Sequence, residues 1–334
     1  MKPRCYHSIP AEEVALAPAA SWLKVTGFTA LGVILLLWAS PPFALLGGMV
    51  FAFVAGNPFP QWTSCATKWL LQTGVVLLGF GMNLPTVLHF GINGSLFAAV
   101  TIVVTLALGW WLGRKLGVEA KTTLLISAGT AICGGSAIAA VSAVIAATES
   151  EIAVSIGTVF LLNAVALYVF PLVGHGLHLS QEQFGLWSGA AIHDISAVVG
   201  ASLSYGAPAL DTAVAVKLSR TLWIIPLTLV LAASAARHRQ DDPTERKVTI
   251  PWFIGLFLLA SVTRSYFPPI QSWSLEIVDY ARRGMALALF LVGISLSFRT
   301  LRAVGWKTVI IGLLLWGVVS TGSLLAIHFF AAAI

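Results

Sequence analysis

The chain has 334 residues, of which 58% are hydrophobic and 10% are charged, and its mean hydropathy is +0.90. Ordinary soluble domains contain about 25% charged residues, so this composition excludes a water-soluble globular protein. Lys and Arg number 19 and Asp and Glu number 13, which gives a formal charge of +6. In a membrane protein the positions of these charges matter more than their sum, and no nucleic-acid partner is expected.

Apolar stretches follow one another along almost the whole chain, and a membrane span needs about 20 such residues. Pro, Gly and charged residues divide them into predicted transmembrane helices at 22–39, 43–56, 67–84, 93–113, 121–147, 152–172, 184–204, 210–235, 250–267, 273–297 and 305–330. The predicted fold is an all-α polytopic membrane protein with about 11 transmembrane helices. We interpret the first stretch as a retained span and not as a cleaved signal peptide.

The basic residues predict the orientation, because short cytoplasmic loops collect Lys and Arg. The basic connections follow the fourth, eighth and tenth spans, and they contain Arg114, Lys115, Lys121, Arg237, Arg239, Arg246, Lys247, Arg299, Arg302 and Lys307. The connections after odd-numbered spans from the first to the ninth contain no Lys or Arg, and they lie around 40–42, 85–92, 148–151, 205–209 and 268–272. This alternation predicts a cytoplasmic amino terminus and a carboxyl terminus outside.

The chain is predicted to form one domain. Residues 1–21 are expected to be a cytoplasmic N-terminal segment, and residues 22–334 a single transmembrane, transporter-like domain that contains a cytoplasmic linker at 236–249. The strings at 76–84 and 288–296 share three of nine residues and end spans of opposite direction. We therefore predict inverted repeats, which are common in secondary transporters.

The fifth span contains a string of small and hydroxyl residues that is poorly suited to the middle of a helix. It reads from Thr130 through Cys133, Gly134, Gly135 and Ser136. Adjacent glycines destabilise a helix interior, so a break near Gly134 is predicted. The amide end of the second half-helix would present partial positive charge to an anion, and Ser136 could cap that end or donate to a substrate. Close helix packing through small residues is the alternative.

The seventh span carries a related string at an offset of 60 residues. Residues 191–197, which include His193, Asp194 and Ser196, match residues 131–137 at four of seven positions. An ionisable pair inside an apolar segment is costly, so a functional site is the first hypothesis. We expect Asp194 and His193 to couple proton movement, since imidazole titrates near neutral pH. A satisfied structural ion pair is the alternative.

Several cations lie within predicted spans. Lys217 and Arg220 are three residues apart and so share one helix face, before Pro226 kinks the same span. Such groups would favour anions, and Arg gives bidentate contacts to oxyanions and carboxylates. The alternative for the shallower cations is that they reach outward or pair with Asp279 and Glu276, and these cations are Arg264, Arg282 and Arg283.

Enzymatic and metal-binding interpretations are weaker. Ser136 with His193 could act as a nucleophile and base, but a Ser beside Gly is common in membrane helices. No second His or carboxylate stands at helical spacing from the His193-Asp194 pair, and the cysteines form no C-x-x-C pair, so no metal site is expected. A phosphate-binding glycine motif is absent from the sequence, which disfavours ATP-driven transport. We expect no enzyme activity and no cofactor.

The strings T-A-I-C-G-G-S-A-I-A-A at 130–140, V-F-L-L-N-A-V-A-L-Y-V-F-P at 159–171, G-L-W-S-G-A-A-I-H-D at 185–194 and K-L-S-R at 217–220 resemble the YeiH-type family of bacterial inner-membrane proteins, which are named as sulfate exporters. The resemblance runs over about 30–330. It implies a carrier-like fold with inverted topology and discontinuous helices that cross at the midplane. It also adds Asn163 to the matching positions.

The combined expectation is a secondary transporter of a small anion of the sulfate, sulfonate or carboxylate class, which works by alternating access and couples a proton. The candidate substrate-binding residues are Thr130, Cys133, Gly134, Gly135, Ser136, Asn163, Ser196, Lys217 and Arg220, and the coupling residues are His193 and Asp194. The expected partners are the anion and the lipid bilayer, and a homodimer is left open. The alternative function is a non-transporting membrane sensor or scaffold with a carrier-like fold.

Overall fold

A computed structural model describes residues 26–29, 41–57, 59–238, 252–295 and 304–330. Most of these residues are helical, and none of them forms a strand. After a short helical stretch at 26–29, the helices are α1 (Pro41–Ala55), α2 (Pro60–Gly79), α3 (Leu84–Leu116), α4 (Ala120–Ala131), α5 (Gly135–Ile145), α6 (Glu149–Gly176), α7 (Gln181–Ala191), α8 (Ile195–Tyr205), α9 (Ala207–Leu222), α10 (Ile224–His238), α11 (Trp252–Tyr266), α12 (Pro268–Ser295) and α13 (Trp306–Phe330).

Each predicted span from 43–56 onward coincides with one helix or with a pair of helices. The N-terminal segment 1–21, most of the first span and most of the linker 236–249 lie outside the described residues. The helices that are both long and apolar enough to cross a membrane contain residues 97–116, 150–176, 207–234 and 306–328. Many large apolar side chains face outward, including Val54, Val103 and Leu172, as expected for a surface in contact with lipid.

Two helices begin earlier than the apolar runs predict. α2 begins at Pro60 and α3 at Leu84, seven and nine residues before the predicted starts at 67 and 93. Both helices carry a proline in the first turn, where its missing N–H costs nothing. At the kink predicted near Pro226 the helix is interrupted at one residue, because α9 ends at Leu222 and α10 begins at Ile224. Proline at 226 cannot donate to the carbonyl of Leu222 and clashes with it.

The predicted fifth span is a helical hairpin, which we call hairpin 1 (residues 120–145). Its arms α4 and α5 have 12 and 11 residues. Each arm is therefore at most about 18 Å long, which is too short to cross a bilayer. The arms lie side by side, since Lys121 Nζ at the start of α4 donates to the carbonyl of Ala146 after α5 at 2.9 Å. The prediction of a break near Gly134 is confirmed, and the prediction that 121–147 crosses the membrane is wrong.

The predicted seventh span has the same construction, and we call it hairpin 2 (residues 181–205). Its arms α7 and α8 each have 11 residues. Ser188 Oγ and Ser202 Oγ lie 3.0 Å apart across the two arms. At the base, Tyr205 Oη donates to the carbonyl of Leu179 at 2.7 Å. The prediction that 184–204 crosses the membrane is therefore also wrong, so the two hairpins remove two of the predicted crossings.

The two hairpins enter the molecule from opposite ends of α6, a helix of 28 residues and about 42 Å. Ser155, near the start of α6, donates to the carbonyl of Thr122 in hairpin 1 at 3.4 Å. His175, near its end, stacks on Tyr205 in hairpin 2 with ring centroids 4.3 Å apart. The arms of each hairpin reach a little less than half the length of α6 from either end, so the two tips meet near the middle of that helix.

The helices pack in two groups. The four-helix group contains α1, α2, α11 and α12, and the hairpin group contains α3 to α10 together with α13. Gly48 of α1 and Gly293 of α12 allow close approach, since a Cβ atom on Gly48 would lie 3.1 Å from the Cα of Gly293. An apolar cluster that includes Leu78, Val214 and Met285 joins the two groups. The inverted repeat that the similar strings at 76–84 and 288–296 indicate stays a prediction.

Candidate functional site

The candidate site is built on the tips of the two hairpins. At the tip of hairpin 1 the chain turns through Gly134, whose φ of 71° and ψ of −127° are open to glycine and strained for other residues. A Cβ atom on Gly134 would lie 3.3 Å from the Cβ of Asp194, which is at the tip of hairpin 2. Gly135 lies beside the ring of Phe160 on α6. The predicted break thus places the two related strings in contact.

Arg220 of α9 caps the carbonyl end of the first arm of hairpin 1. Its side chain is fully buried, and its NH2 group donates to the carbonyl of Ala131, the last residue of α4. Its NH1 group donates to Oγ1 of Thr101 on α3 at 3.1 Å. A helix carries partial negative charge at its carboxyl end, so the guanidinium stabilises this arm.

Lys217 makes the equivalent contact with hairpin 2. It lies one helical turn before Arg220, it is fully buried, and its Nζ donates to the carbonyl of Ile192, directly after α7. One face of α9 therefore supplies a cation to the carbonyl end of each hairpin. Each cation offsets part of its burial cost through this contact.

The amide end of the second arm of hairpin 2 is capped by Asp194. Its Oδ2 accepts the backbone N–H of Ser196 at 3.0 Å and also accepts the Ser196 hydroxyl. The backbone N–H of Asp194 donates to Oδ1 of Asn163 on α6 at 3.2 Å, which ties the tip to that helix. A carboxylate on the first N–H groups of a helix is the favoured arrangement for a negative charge.

The amide end of the second arm of hairpin 1 has no such cap. No described side chain accepts from the first turn of α5, whose N-cap residue is Gly134. The Cys133 thiol is hydrogen-bonded to the hydroxyl of Ser136, and Ser136 is exposed although most of its neighbours are buried. This tip therefore offers backbone N–H groups and a hydroxyl to an anion.

Several buried polar groups near the tips have no hydrogen-bond partner among the described residues. His193 is fully buried with both ring nitrogens unpaired, and its ring centroid lies 6.2 Å from that of Trp316 on α13. Thr130 Oγ1 and Asn163 Nδ2 are also without a partner. Unpaired buried polar groups are costly, so they mark positions where a ligand or solvent would be stabilised.

A cavity of about 10 Å³ lies beside Asp194, between the hairpin group and the four-helix group. That volume is the size of one water molecule. Asn163 and Ser196 line it on one side, and Leu45 of α1 and Leu289 of α12 line it on the other. The tip of hairpin 2 therefore faces the seam between the two groups.

The residues predicted from the sequence lie together at the tips or on the helices that touch them. They are Thr130, Cys133, Gly134, Gly135, Ser136, Asn163, His193, Asp194, Ser196, Lys217 and Arg220. Arg283 lies elsewhere and pairs with Asp279 at 2.8 Å on the surface, as the alternative for it predicts. The sequence analysis missed Thr101 and the carbonyls of Ala131 and Ile192, because it considered the amide ends of the broken helices and not their carbonyl ends.

Among the described residues, no group of three or more His, Cys, Asp or Glu side chains is placed to hold a metal ion. The polar groups at the tips are two cations, one carboxylate, hydroxyls, an amide and backbone groups. With Lys217, Arg220 and Asp194 ionised, their formal charge is +1. This arrangement can hold a small anion by hydrogen bonds and charge.

Comparisons with known proteins agree with the resemblance noted in the sequence. The family described as conserved hypothetical protein 698 matches residues 34–312. A UPF0324 membrane protein of Bacteroides thetaiotaomicron is 44% identical over 294 residues, which cover 87% of each chain. A UPF0324 membrane protein of Porphyromonas gingivalis is 46% identical over 290 residues and 86% of each chain.

A third relative, a UPF0324 membrane protein of Vibrio vulnificus, is 42% identical over 287 residues, which cover 86% of this chain and 92% of the relative. No solved structure matches the chain. The family match and the relatives cover most of the sequence, including both hairpins. The chain belongs to the conserved hypothetical protein 698 family, the YeiH-type or UPF0324 membrane proteins.

Proposed function

We propose that this protein is a secondary transporter of a small anion of the sulfate, sulfonate or carboxylate class. The observation that carries the proposal is the meeting of two hairpin tips around two fully buried cations, with one helix amide end left uncapped. Buried cations without an equal number of carboxylates favour an anion, and a helix amide end adds partial positive charge. Non-helical backbone at membrane depth is tolerated where protein or a cavity covers it.

Transport would proceed by movement of the hairpin group against the four-helix group. The contact between them is mainly apolar and contains Val199, Leu218 and Phe257, and such surfaces can shift past one another with few polar contacts changed. Asp211 of α9 and Arg282 of α12 interact electrostatically across it. The tip of hairpin 2 and a small cavity lie at this seam. Such an arrangement suits alternating access, in which one site opens first to one side of the membrane and then to the other.

Asp194 and His193 are the proposed coupling residues. A doubly charged anion on the amide end of α5 would lie next to the Asp194 carboxylate, and the negative charge at the tips would then exceed the positive charge of Lys217 and Arg220. Proton uptake by Asp194 removes that excess, so the binding of such an anion and the binding of a proton reinforce each other. His193 adjoins Asp194 in the chain and is fully buried, and in this proposal it exchanges the proton.

The relatives and the distribution of basic residues also indicate where in the cell the protein lies. The relatives of this chain are bacterial membrane proteins, and we propose the bacterial inner membrane, with the basic connections on the cytoplasmic side. The bilayer and the anion are the proposed partners, and neither a cofactor nor a nucleic acid has a part in the mechanism. No covalent chemistry is proposed.

The proposal is tested by flux of labelled sulfate, methanesulfonate and acetate into proteoliposomes. Arg220→Gln should lower the flux of the transported anion at least tenfold, since a charged hydrogen bond contributes about 1.5–3 kcal/mol. Arg220→Lys should recover part of it, and Arg283→Gln, which removes an exposed charge, should leave it unchanged. Asp194→Asn should abolish the pH dependence of flux.

Unchanged flux in folded Arg220→Gln protein would contradict the site. Tight binding of an anion to the wild-type protein without any flux would favour the sensor or scaffold alternative.

A further inference from the structure

The two hairpin tips have matched sequences and matched contacts, with one difference. Ser136 at the first tip corresponds to Ser196 at the second, and Gly134 corresponds to Asp194. At the second tip the Asp194 carboxylate accepts both the N–H and the hydroxyl of Ser196. At the first tip the serine is present and the carboxylate is replaced by a glycine without a side chain.

The first tip also contacts a buried cation with free hydrogen-bonding capacity. Arg220 is fully buried and reaches the first tip through the carbonyl of Ala131, and its Nε has no partner among the described residues. Thr130 Oγ1, one residue before Ala131, is also buried and unpaired. These groups are independent of the helix end and are suited to the oxygens of an anion.

The charged and titratable groups at the two tips can be counted. Arg220 contacts the first tip and Lys217 the second, and Asp194 is the carboxylate of the second tip. Cys133 lies at the first tip, and His193 adjoins Asp194 in the chain. The residues of α1, α6 and α12 that line the cavity beside Asp194 are uncharged, and they are Leu45, Phe160, Asn163, Ala164, Leu289 and Val292. The two tips therefore hold two cations and one carboxylate.

We infer that the tips hold two negative charges in total, one on Asp194 and one on the bound anion, so that a monoanion binds alone and a dianion binds together with one proton. A bound monoanion accepts the N–H and the hydroxyl of Ser136 at the first tip, as the Asp194 carboxylate accepts those of Ser196 at the second. A dianion would give the buried site an excess negative charge, which is costly in a medium of low dielectric. Protonation of Asp194 removes that excess. The inference rests on the proposed function and specifies its substrate charge and proton coupling.

The test measures binding of methanesulfonate and sulfate to the purified full-length protein at constant ionic strength between pH 6 and pH 8. Both are small tetrahedral oxyanions, and they differ in charge. Because uptake of one proton changes affinity tenfold per pH unit, the dissociation constant for sulfate should fall about tenfold for each unit that the pH is lowered within the range where Asp194 is ionised. The dissociation constant for methanesulfonate should change less than twofold over the same pH range.

Variants separate the residues involved. Asp194→Asn should bind sulfate more tightly than methanesulfonate, with no pH dependence, while His193→Gln should keep the wild-type pH dependence. Ser136→Ala should weaken both anions about tenfold, and Ser204→Ala, an exposed serine on α8, should change neither.

Sulfate and methanesulfonate affinities that respond equally to pH would overturn the inference, and so would a sulfate pH dependence that persists in Asp194→Asn. A different result would contradict the proposed function: anions that bind as described but do not cross the membrane in proteoliposomes.

Discussion

Lys217 and Arg220 illustrate how the carbonyl end of a helix can stabilise a buried cation. Each meets the carbonyl end of a hairpin arm, where the helix supplies partial negative charge. The sequence analysis assigned both residues to the charge of a substrate. The structure gives them protein partners as well, so they hold the tips in place before any anion arrives.

Thr101 should be important for stability, because it accepts from Arg220 at 3.1 Å. Thr101→Val keeps the shape of the side chain and leaves a buried N–H of the guanidinium unpaired, so the free energy of unfolding should fall by about 1–3 kcal/mol. Denaturation in mixed micelles measures this change. Thr105→Val is the control, since the Thr105 hydroxyl bonds only to the backbone carbonyl of Thr101. Equal stability of the two variants would contradict the role of Thr101.

At the residue scale, the sequence identified the members of the site because each is unusual for its surroundings. A pair of charged residues, or a pair of adjacent glycines, inside an apolar run lowers the stability of a membrane helix, and that loss of stability indicates a functional role. Thr101 had no such signal, since a threonine in a membrane helix bonds readily to its own backbone. Its role depends on the distance between α3 and α9, which the local pattern does not contain.

The hairpins are the element that the sequence predicted incompletely. An apolar run of about 25 residues is equally compatible with one crossing helix and with two short arms that return to the same side. The tip residues Gly134 and Asp194 indicated a break in each run but not the direction of the chain after it. The direction is set by contacts between arms, such as Ser188 with Ser202, that are 14 residues apart in sequence.

Hairpin 2 can be tested by a disulfide in a background without the three native cysteines. Ser188→Cys with Ser202→Cys should form an intramolecular disulfide on mild oxidation, because the two hydroxyl oxygens lie 3.0 Å apart. In a continuous helix the same positions would be about 21 Å apart and could not react. Intact mass spectrometry detects the loss of two hydrogens. Each single variant is the control, and absence of the bond in the double variant would contradict the hairpin.

At the scale of the whole molecule, two fewer crossings leave the predicted orientation unchanged. One hairpin enters from each end of α6. The connection at 148–151 therefore lies on the same side as the basic connections, and the connection at 177–180 lies on the opposite side, which is the reverse of what eleven crossings predict. Neither connection contains Lys or Arg, and the charge pattern could not distinguish the two arrangements. Lys307 lies near Gly117, which places two basic connections at one end of the molecule.

Cysteine labelling of intact cells distinguishes the two topologies. With the native cysteines replaced, Leu177→Cys should react with a membrane-impermeant thiol reagent from outside, and Ser150→Cys should react only after the cells are opened. Both positions are exposed, so burial would not limit either reaction. Lys115→Cys serves as the cytoplasmic control and Gln271→Cys as the outside control. Eleven continuous crossings would give the reverse result at 150 and 177.

The central claim is that the uncapped amide end of α5 binds an anion between the two tips. Anomalous diffraction from crystals soaked in selenate, a tetrahedral oxyanion of the sulfate class with a heavy atom, tests it most directly. The account predicts oxyanion density on the backbone N–H groups of Gly135 and Ser136, next to Arg220, with a selenium peak at its centre and a weaker peak in Ser136→Ala crystals. Selenium bound elsewhere in the wild-type protein, with this helix end free of density, would contradict it.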